Sequence, residues 1–244
     1  MTLNTRHGTD AAGRSTLEEQ AALVKERLDH TGPSVVLLQE CDQGMARSGR
    51  VDQPARFAEL LGLPCAVFGA NLRRDGGQYG TAILTNLALN GVEHLLLESQ
   101  STGHVTHLDG TVHGQEQRGL LLARCTGDLL VINVHASVWP AERRTMRDEI
   151  AAIAGHHRGP LVIGGDFNSD DPTEDIRIEG LVDTCGGDPA PTFPSGAPIA
   201  RIDRVLVRGF ETVCHQNTPT LLSDHHLVST DLEPAGRAAP HQMW

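Results

Sequence analysis

Apolar and polar positions follow two rhythms along this chain. Leu17, Ala21, Val24 and Leu28 recur at helical intervals behind Thr16 and Glu19, which have capping-box spacing, and predict a helix over 17–28. A second helix is expected over 54–61. A third is expected in PAERRTMRDEIAAIAGHH, where Pro140 suits a helix start and Met146, Ile150 and Ile153 make an inward stripe. Short apolar runs read as strands: SVVLLQE ending in Glu40, AVF from Ala66, YGTAILT from Tyr79, VEHLLLE from Val92, RGLLLARC from Arg118, LLVINVH ending in His135, then PLVIGGDFN, RIDRVLV and LVSTDL. Several strands follow one another with no helix between them. That order disfavours a simple doubly wound sheet and favours sheet packed on sheet with helices outside. The tail PAGRAAPHQMW has loop composition and is expected to fray, so the folded domain is assigned to 1–233 and the tail to 234–244.

Composition narrows this picture without changing it. A chain of 244 residues with 39% hydrophobic content can bury one large core, and no linker divides it. No apolar run reaches transmembrane length, and the numbered chain opens on strand-like residues rather than a basic and then apolar leader; a cytoplasmic monomer is expected. The five cysteines are far apart and mostly inside apolar runs, which reads as reduced core thiols rather than a disulfide frame or a zinc site. The formal charge of -11 opposes tight non-specific binding to a phosphate backbone. Acids gathered around divalent cations in one cleft would nevertheless present a phosphate with a different local field.

Chemistry enters at the ends of the apolar strands. Asn4 follows Thr2-Leu3, Glu40 follows Val35 to Gln39, and His135 follows Val131 to Val134. Asp166 and Asn168 follow Leu161 to Ile163, two apart, where an extended chain points both to one side. Asp203 stands beside Ile202, and Asp224 with His225 lies in LLSDHHLV. Such polar groups are costly at the mouths of core strands unless they have partners or work. The set holds no serine in a nucleophile elbow, and its oxygen ligands suit hard ions such as magnesium or manganese rather than zinc. Hard ions held this way commonly serve phosphate chemistry.

The order Asn4, LQE at 38–40, YGTAILT at 79–85, NVHAS at 133–137, GDFN at 165–168, IDRVLV at 202–207 and SDHHLV at 223–228 resembles the endonuclease/exonuclease/phosphatase superfamily, from Asn4 to about Leu232. The resemblance implies an α+β fold, a four-layer α/β/β/α sandwich of two packed mixed sheets, with the active site at one edge of both. It also implies hydrolysis of a phosphoester by a water attacking phosphorus in line, with Mg2+ or Mn2+ as cofactor. Carried over by residue, Glu40 is the principal metal ligand, with Asn4 beside it and Asp224 at the metal edge. Asp166 would orient or deprotonate the water, and Asn168 would donate to a phosphoryl oxygen. His225, held by Asp203, would contact the phosphate, with His135 beside it as donor or acid. Thr81 stands near the place where nucleases of this type often carry an acid or amide that supports the equivalent of His135.

Other positions carry weaker expectations. Arg47 and Arg50 follow Glu40 closely enough to reach a substrate phosphate, and Trp139 follows His135 closely enough to pack on an apolar part of a substrate. His104, His107, Asp109 and His113 read as a polar hairpin loop with exposed histidines in preference to an extra metal cluster, within a segment, 98–117, that matches no motif of the family. Arg143, Arg144 and Arg147 read as the wet face of their helix. A phosphodiesterase or nuclease-like hydrolase is the first expectation; a phosphomonoesterase on a small or lipid-derived phosphate is the alternative. An inactive binding module on the same fold is disfavoured by the presence of Glu40, Asp166 and His225. Nucleic acid stays open as a substrate, although the acidic charge and an aromatic content of 3% speak against it.

Overall fold

The computed structural model describes residues 1–28, 31–98, 103–114, 116–171, 174–186 and 189–236. In chain order its elements are β1 (Thr2–Asn4), α1 (Leu17–Lys25), β2 (Val35–Gln43), α2 (Gln53–Leu61), β3 (Cys65–Arg74), β4 (Gly77–Thr85), β5 (Leu89–Leu96), β6 (His104–Thr106), β7 (Val112–Gly114), β8 (Gly119–Cys125), β9 (Leu130–His135), α3 (Pro140–His156), β10 (Leu161–Asp166), β11 (Val182–Asp183), β12 (Asp203–Arg208), β13 (Phe210–Thr218) and β14 (Leu227–Pro234). Two six-stranded mixed sheets run in the orders β13-β14-β1-β2-β4-β3 and β11-β12-β10-β9-β8-β5, while β6 and β7 form a separate hairpin.

The unbroken apolar runs are explained by what covers each face. In β2, Val36 and Leu38 pack outward against Leu17, Ala21 and Val24 of α1 and Phe57 and Leu61 of α2. Leu37, between them, turns inward to meet Leu121, Val131, Val162 and Val205 of the second sheet. On that sheet, Leu120, Leu122, Ile132 and Ile163 pack outward against Met146, Ile150 and Ala154 of α3. Alternate side chains of one strand thus serve two different cores. The layers are helix, sheet, sheet, helix, as the resemblance implies.

A polar link crosses the inter-sheet core at Asn133. The Asn133 amide donates to Leu38 O (3.0 Å) and Ala82 O (2.7 Å), and Gln39 Nε2 donates to Asn133 Oδ1 (2.7 Å). A buried amide satisfied in this way fixes how the sheets slide relative to one another. All five cysteines are free thiols. Among the described residues no helix is long and apolar enough to cross a membrane.

The structure departs from expectation at several points. The first helix stops at Lys25, and the chain continues in tighter turns, with Arg27 N donating to Val24 O and Leu28 N to Lys25 O. Its capping box does not form, because the Thr16 hydroxyl donates instead to Leu222 O at 2.5 Å. β13 carries no clear apolar pattern, since it is a largely exposed edge strand read against only one neighbour. Arg143 is not on a wet face: its side chain is 14% exposed and clamps Glu174 (2.5 and 3.1 Å). Residues 237–244 of the tail lie outside the described residues.

Candidate active site

Strand register alone brings the polar strand ends together. β1 runs parallel to β2, with Asn4 opposite Gln39 and Glu40 next along. β9 runs parallel to β10, with His135 opposite Asp166, and β12 runs antiparallel, so that its first residue, Asp203, also faces Asp166. β14 is antiparallel to β1, which sets the loop before it, with Asp224 and His225, at the same edge. The eight expected catalytic and metal residues therefore gather at one end of the sandwich.

Two of them need backbone that ordinary residues avoid. Glu40 has φ 55° and Asn168 φ 51°, both left-handed. At Glu40 the β2–β4 register slips between Leu38 and Cys41, a bulge that turns the carboxylate off the ladder. Gly165 precedes Asp166 with φ 143°, and a Cβ there would meet Val134 O at 1.9 Å, so only glycine lets β10 lie this close to β9. Local strain of this kind is held by surrounding structure and is concentrated at functional sites.

The side chains form one network. Asn4 Nδ2 donates to Glu40 Oε1 (3.2 Å) and to Asp166 Oδ2 (3.1 Å), joining the two carboxylates. His225 Nδ1 lies 2.9 Å from Asp203 Oδ2, and its Nε2 lies 3.8 Å from Asp166 Oδ2. Thr192 donates to Asp203 from the other side (2.6 Å), and the Phe193 ring covers His225 at 4.7 Å. Burial alone would lower the His225 pKa, but the Asp203 and Asp166 carboxylates outweigh it and lift the imidazole to about 10. His225 is therefore a cation held between two acids.

Burial, with the Asp224 and Glu116 carboxylates, pushes Glu40 up to about 7. Burial likewise raises Asp166 to about 6, against the pull of His225. Buried carboxylates crowded by like charge, with oxygen and amide donors beside them, are the donor chemistry a hard cation relieves. Glu40 and the neighbouring Asp224 offer such an ion carboxylate oxygens, with Asn4 beside them, its NH2 toward Glu40 and Asp166 and its Oδ1 accepting from Arg6 N (3.1 Å). Asp166, Asp203 and His225 also bring ligand atoms within 4.8 Å of one another. Protonated His225, hydrogen-bonded through Nδ1, is a poor ligand, so the Glu40 side is the better seat.

Several roles differ from those expected. Asp224 accepts an ion pair from Arg6 at 3.0 Å. Asn168 Nδ2 donates to Ala136 O (2.9 Å) and approaches Asp166 Oδ2 (3.4 Å), so the amide expected at a phosphoryl oxygen is engaged in bracing the β9 and β10 ends. Arg47 lines the cleft but is held by Asp42 through two bonds (2.7 and 2.9 Å) and stacks over Tyr79. Arg50 and Trp139 are not among the cleft-lining residues. Arg50 is exposed and reaches Gly44 O, while Trp139 is at the start of α3 with its indole N–H buried. The β6–β7 hairpin forms, but His107 is buried against Phe193 (5.2 Å) rather than exposed; the His113 side chain lies outside the described part.

In the sequence Arg118 marks only the start of a strand. It is buried, with Nη1 2.9 Å from His135 Nδ1 and 2.6 Å from Glu116. β8 runs antiparallel to β9, Leu120 opposite Val134, so a residue just before β8 must reach the end where β9 finishes. Arg118, rather than Thr81 or an acid or amide near it, is thus the group that contacts His135, and the buried Thr81 hydroxyl makes no hydrogen bond. Burial first, then the Arg118 charge, takes His135 well below the usual imidazole range, and it accepts from the guanidinium as a neutral ring.

A family model for the Endonuclease/Exonuclease/phosphatase family matches residues 1–225. A protein of Escherichia coli (strain K12) named "Uncharacterized protein YbhP" is 26% identical over 182 residues, covering 68% of this chain and 67% of its own. The solved endonuclease/exonuclease/phosphatase of Beutenbergia cavernae superposes with TM-score 0.69 at 24% identity, over 96% of this chain and 70% of that one. A mannosyl-6-phosphatase of Bacteroides thetaiotaomicron gives 0.65 at 16% identity, over 95% and 98%. At these identities the two structures share the fold alone.

Proposed function

This chain belongs to the endonuclease/exonuclease/phosphatase family, whose members are generally phosphoesterases, and on that premise we propose that it hydrolyses phosphoester bonds with a divalent ion, Mg2+ or Mn2+, seated at Glu40, Asn4 and Asp224. The observation that carries the reading is the network Glu40–Asn4–Asp166 facing Asp203–His225 across less than 4 Å. When bound, the ion supplies charge neutralisation at the phosphoryl oxygens and the leaving oxygen. The chain's own groups do the rest.

Asp166, fixed by Asn4 and by the Asn168 backbone N–H (2.8 Å), orients the attacking water and takes its proton. His225 presents a fixed cation to the oxygens on which charge develops, and Asp203 holds its ring in place. Neutral His135, braced by Arg118, donates to the phosphate. Asn168 positions Asp166. Diester and monoester hydrolysis share this centre, with a phosphodiesterase the first reading and a phosphomonoesterase the alternative. They differ in what fills the rest of the cleft.

The test is hydrolysis of bis-p-nitrophenyl phosphate and p-nitrophenyl phosphate with magnesium, manganese or chelator, in wild type and Glu40→Ala. Turnover should require the ion and fall about 100-fold or more in the variant. Undiminished turnover in chelator, or in Glu40→Ala, would overturn the reading.

A further inference from the structure

The catalytic residues occupy only the floor of a cleft of about 700 Å3, and the character of its walls bears on what the phosphate is attached to. Among the described residues four arginines line the cleft, and each is paired with a carboxylate: Arg6 with Asp224 (3.0 Å), Arg47 with Asp42 (2.7 Å), Arg74 with Asp75 (3.3 Å) and Arg118 with Glu116 (2.6 Å). Six described carboxylates line the same cleft. A substrate carrying further phosphates would meet cations already neutralised and acids that repel it. This is the reverse of the unpaired basic groove that tracks a nucleic-acid backbone.

The aromatic rings give a second, independent sign. Tyr79 and Phe193 both line the cleft, but they are 5% and 4% exposed. One face of Tyr79 is taken by Arg47 at 5.1 Å, and Phe193 is sandwiched between His107 and His225 at 5.2 and 4.7 Å. Neither ring offers a platform on which a base can stack. What the walls do offer is a mixture of donors and acceptors at close range. The end of β3 and the turn after it bring Arg74 and Asp75, and the turn between β6 and β7 brings Asp109 and Thr111, whose N–H and hydroxyl both donate to Asp109 Oδ1 (2.9 and 2.6 Å). Hydroxyl groups suit such a surface, since each donates to a carboxylate and accepts from a guanidinium or hydroxyl at once. The volume falls in the range of small-molecule sites.

We propose that the substrate is the phosphate ester of an uncharged polyol about the size of a hexose or cyclitol, its hydroxyl groups held by Arg74 and Asp75 on one turn and Asp109 and Thr111 on the other. The inference rests on the phosphoesterase reading above, taken in its phosphomonoesterase form. In the reaction the oxygen of water bonds to phosphorus, the ester P–O bond breaks, and the polyol oxygen leaves with a proton, giving polyol and inorganic phosphate.

The experiment compares kcat/KM with Mg2+ for glucose 6-phosphate and myo-inositol 1-phosphate against p-nitrophenyl phosphate, AMP and a single-stranded oligonucleotide. At least one polyol phosphate should exceed p-nitrophenyl phosphate about tenfold and AMP and the oligonucleotide about 100-fold. Arg74→Gln and Asp109→Asn should each lower kcat/KM for the polyol ester about tenfold more than for p-nitrophenyl phosphate. AMP or the oligonucleotide matching the polyol esters, or equal losses on both esters in both variants, would overturn the proposal. If the nitrophenyl esters are cleaved and the polyol esters are not preferred, the substrate class alone is wrong. If no ester is cleaved with any metal, the phosphoesterase reading fails and takes this inference with it.

Discussion

A cleft of about 700 Å3 opens at the end of the sandwich where β1, β9 and β10 finish, and another of about 720 Å3 opens at the opposite end, where β2, β9 and β10 begin. The first is lined by paired arginines and carboxylates over the candidate site. The second is walled by residues such as Val35, Leu87, Leu129, Phe210 and Leu232, with Arg27 and Asp231 among its few charges. Both are places where two packed sheets part company. The difference lies in the residue at each strand end. Where the last residue is Asn4, His135 or Asp166, the gap gathers functional groups at the cost of raised carboxylate pKa values and left-handed backbone. Where the first residue is Val35 or Leu130, the gap is only an incompletely closed core.

Substitutions at the two ends should therefore act on different observables. The largest effect is expected for Asp166→Asn or His225→Ala: turnover should fall by about 10³-fold or more, with the melting temperature of Asp166→Asn within about 2 °C of wild type, whereas His225→Ala, which leaves Asp203 buried without its cation, should also lose several degrees. Activity near wild type in either would break the comparison. Asp203→Asn keeps the shape and the Thr192 contact but removes the charge that holds the imidazolium. It should cost about 100-fold in kcat, read by steady-state kinetics.

At the far end, Leu129→Ala should lose about 2 kcal/mol in urea melts, the low end for truncating a core leucine because this one is partly buried. Its kcat/KM should stay within about twofold of wild type; a larger kinetic loss would show that the ends are coupled. The smallest effect sharpens the metal assignment. Mg2+ at ten times its Kd should stabilise wild type by about 1.4 kcal/mol, and Glu40→Ala should show no such gain in a thermal-shift titration.

Much of this was legible because the candidate positions coincide with the ends of apolar runs, which even a single sequence displays. Glu40, His135, Asp166 and His225 were found that way, and register does the rest. Arg118 was not, because an arginine before an apolar strand looks like any solvated strand start. Only the antiparallel pairing of β8 with β9 turns it toward His135. The left-handed backbone at Glu40 and Asn168 was hidden as well, since no glycine marks either position. Phe193 and Thr192 give no sign in the sequence because they belong to a loop without periodicity and matter only through what they touch. The paired state of Arg6 and Arg47 depends on partners 218 and 5 residues away, which composition does not reveal.

The pairing of β1 with β14 has a consequence for biosynthesis. Residues 2–4 occupy an inner position of their sheet, and Thr2 is held opposite Val228, near the other end of the chain. The Ser223 hydroxyl, just ahead of β14, donates to Asn4 O at 2.7 Å. A nascent chain emerging from the ribosome can build helices and hairpins early, but contacts of such long sequence separation form late. Asn4 and His225 thus meet only once nearly all of the domain has been synthesised. Until then the strand ends stay apart, and the candidate site is completed together with the closing of the first sheet.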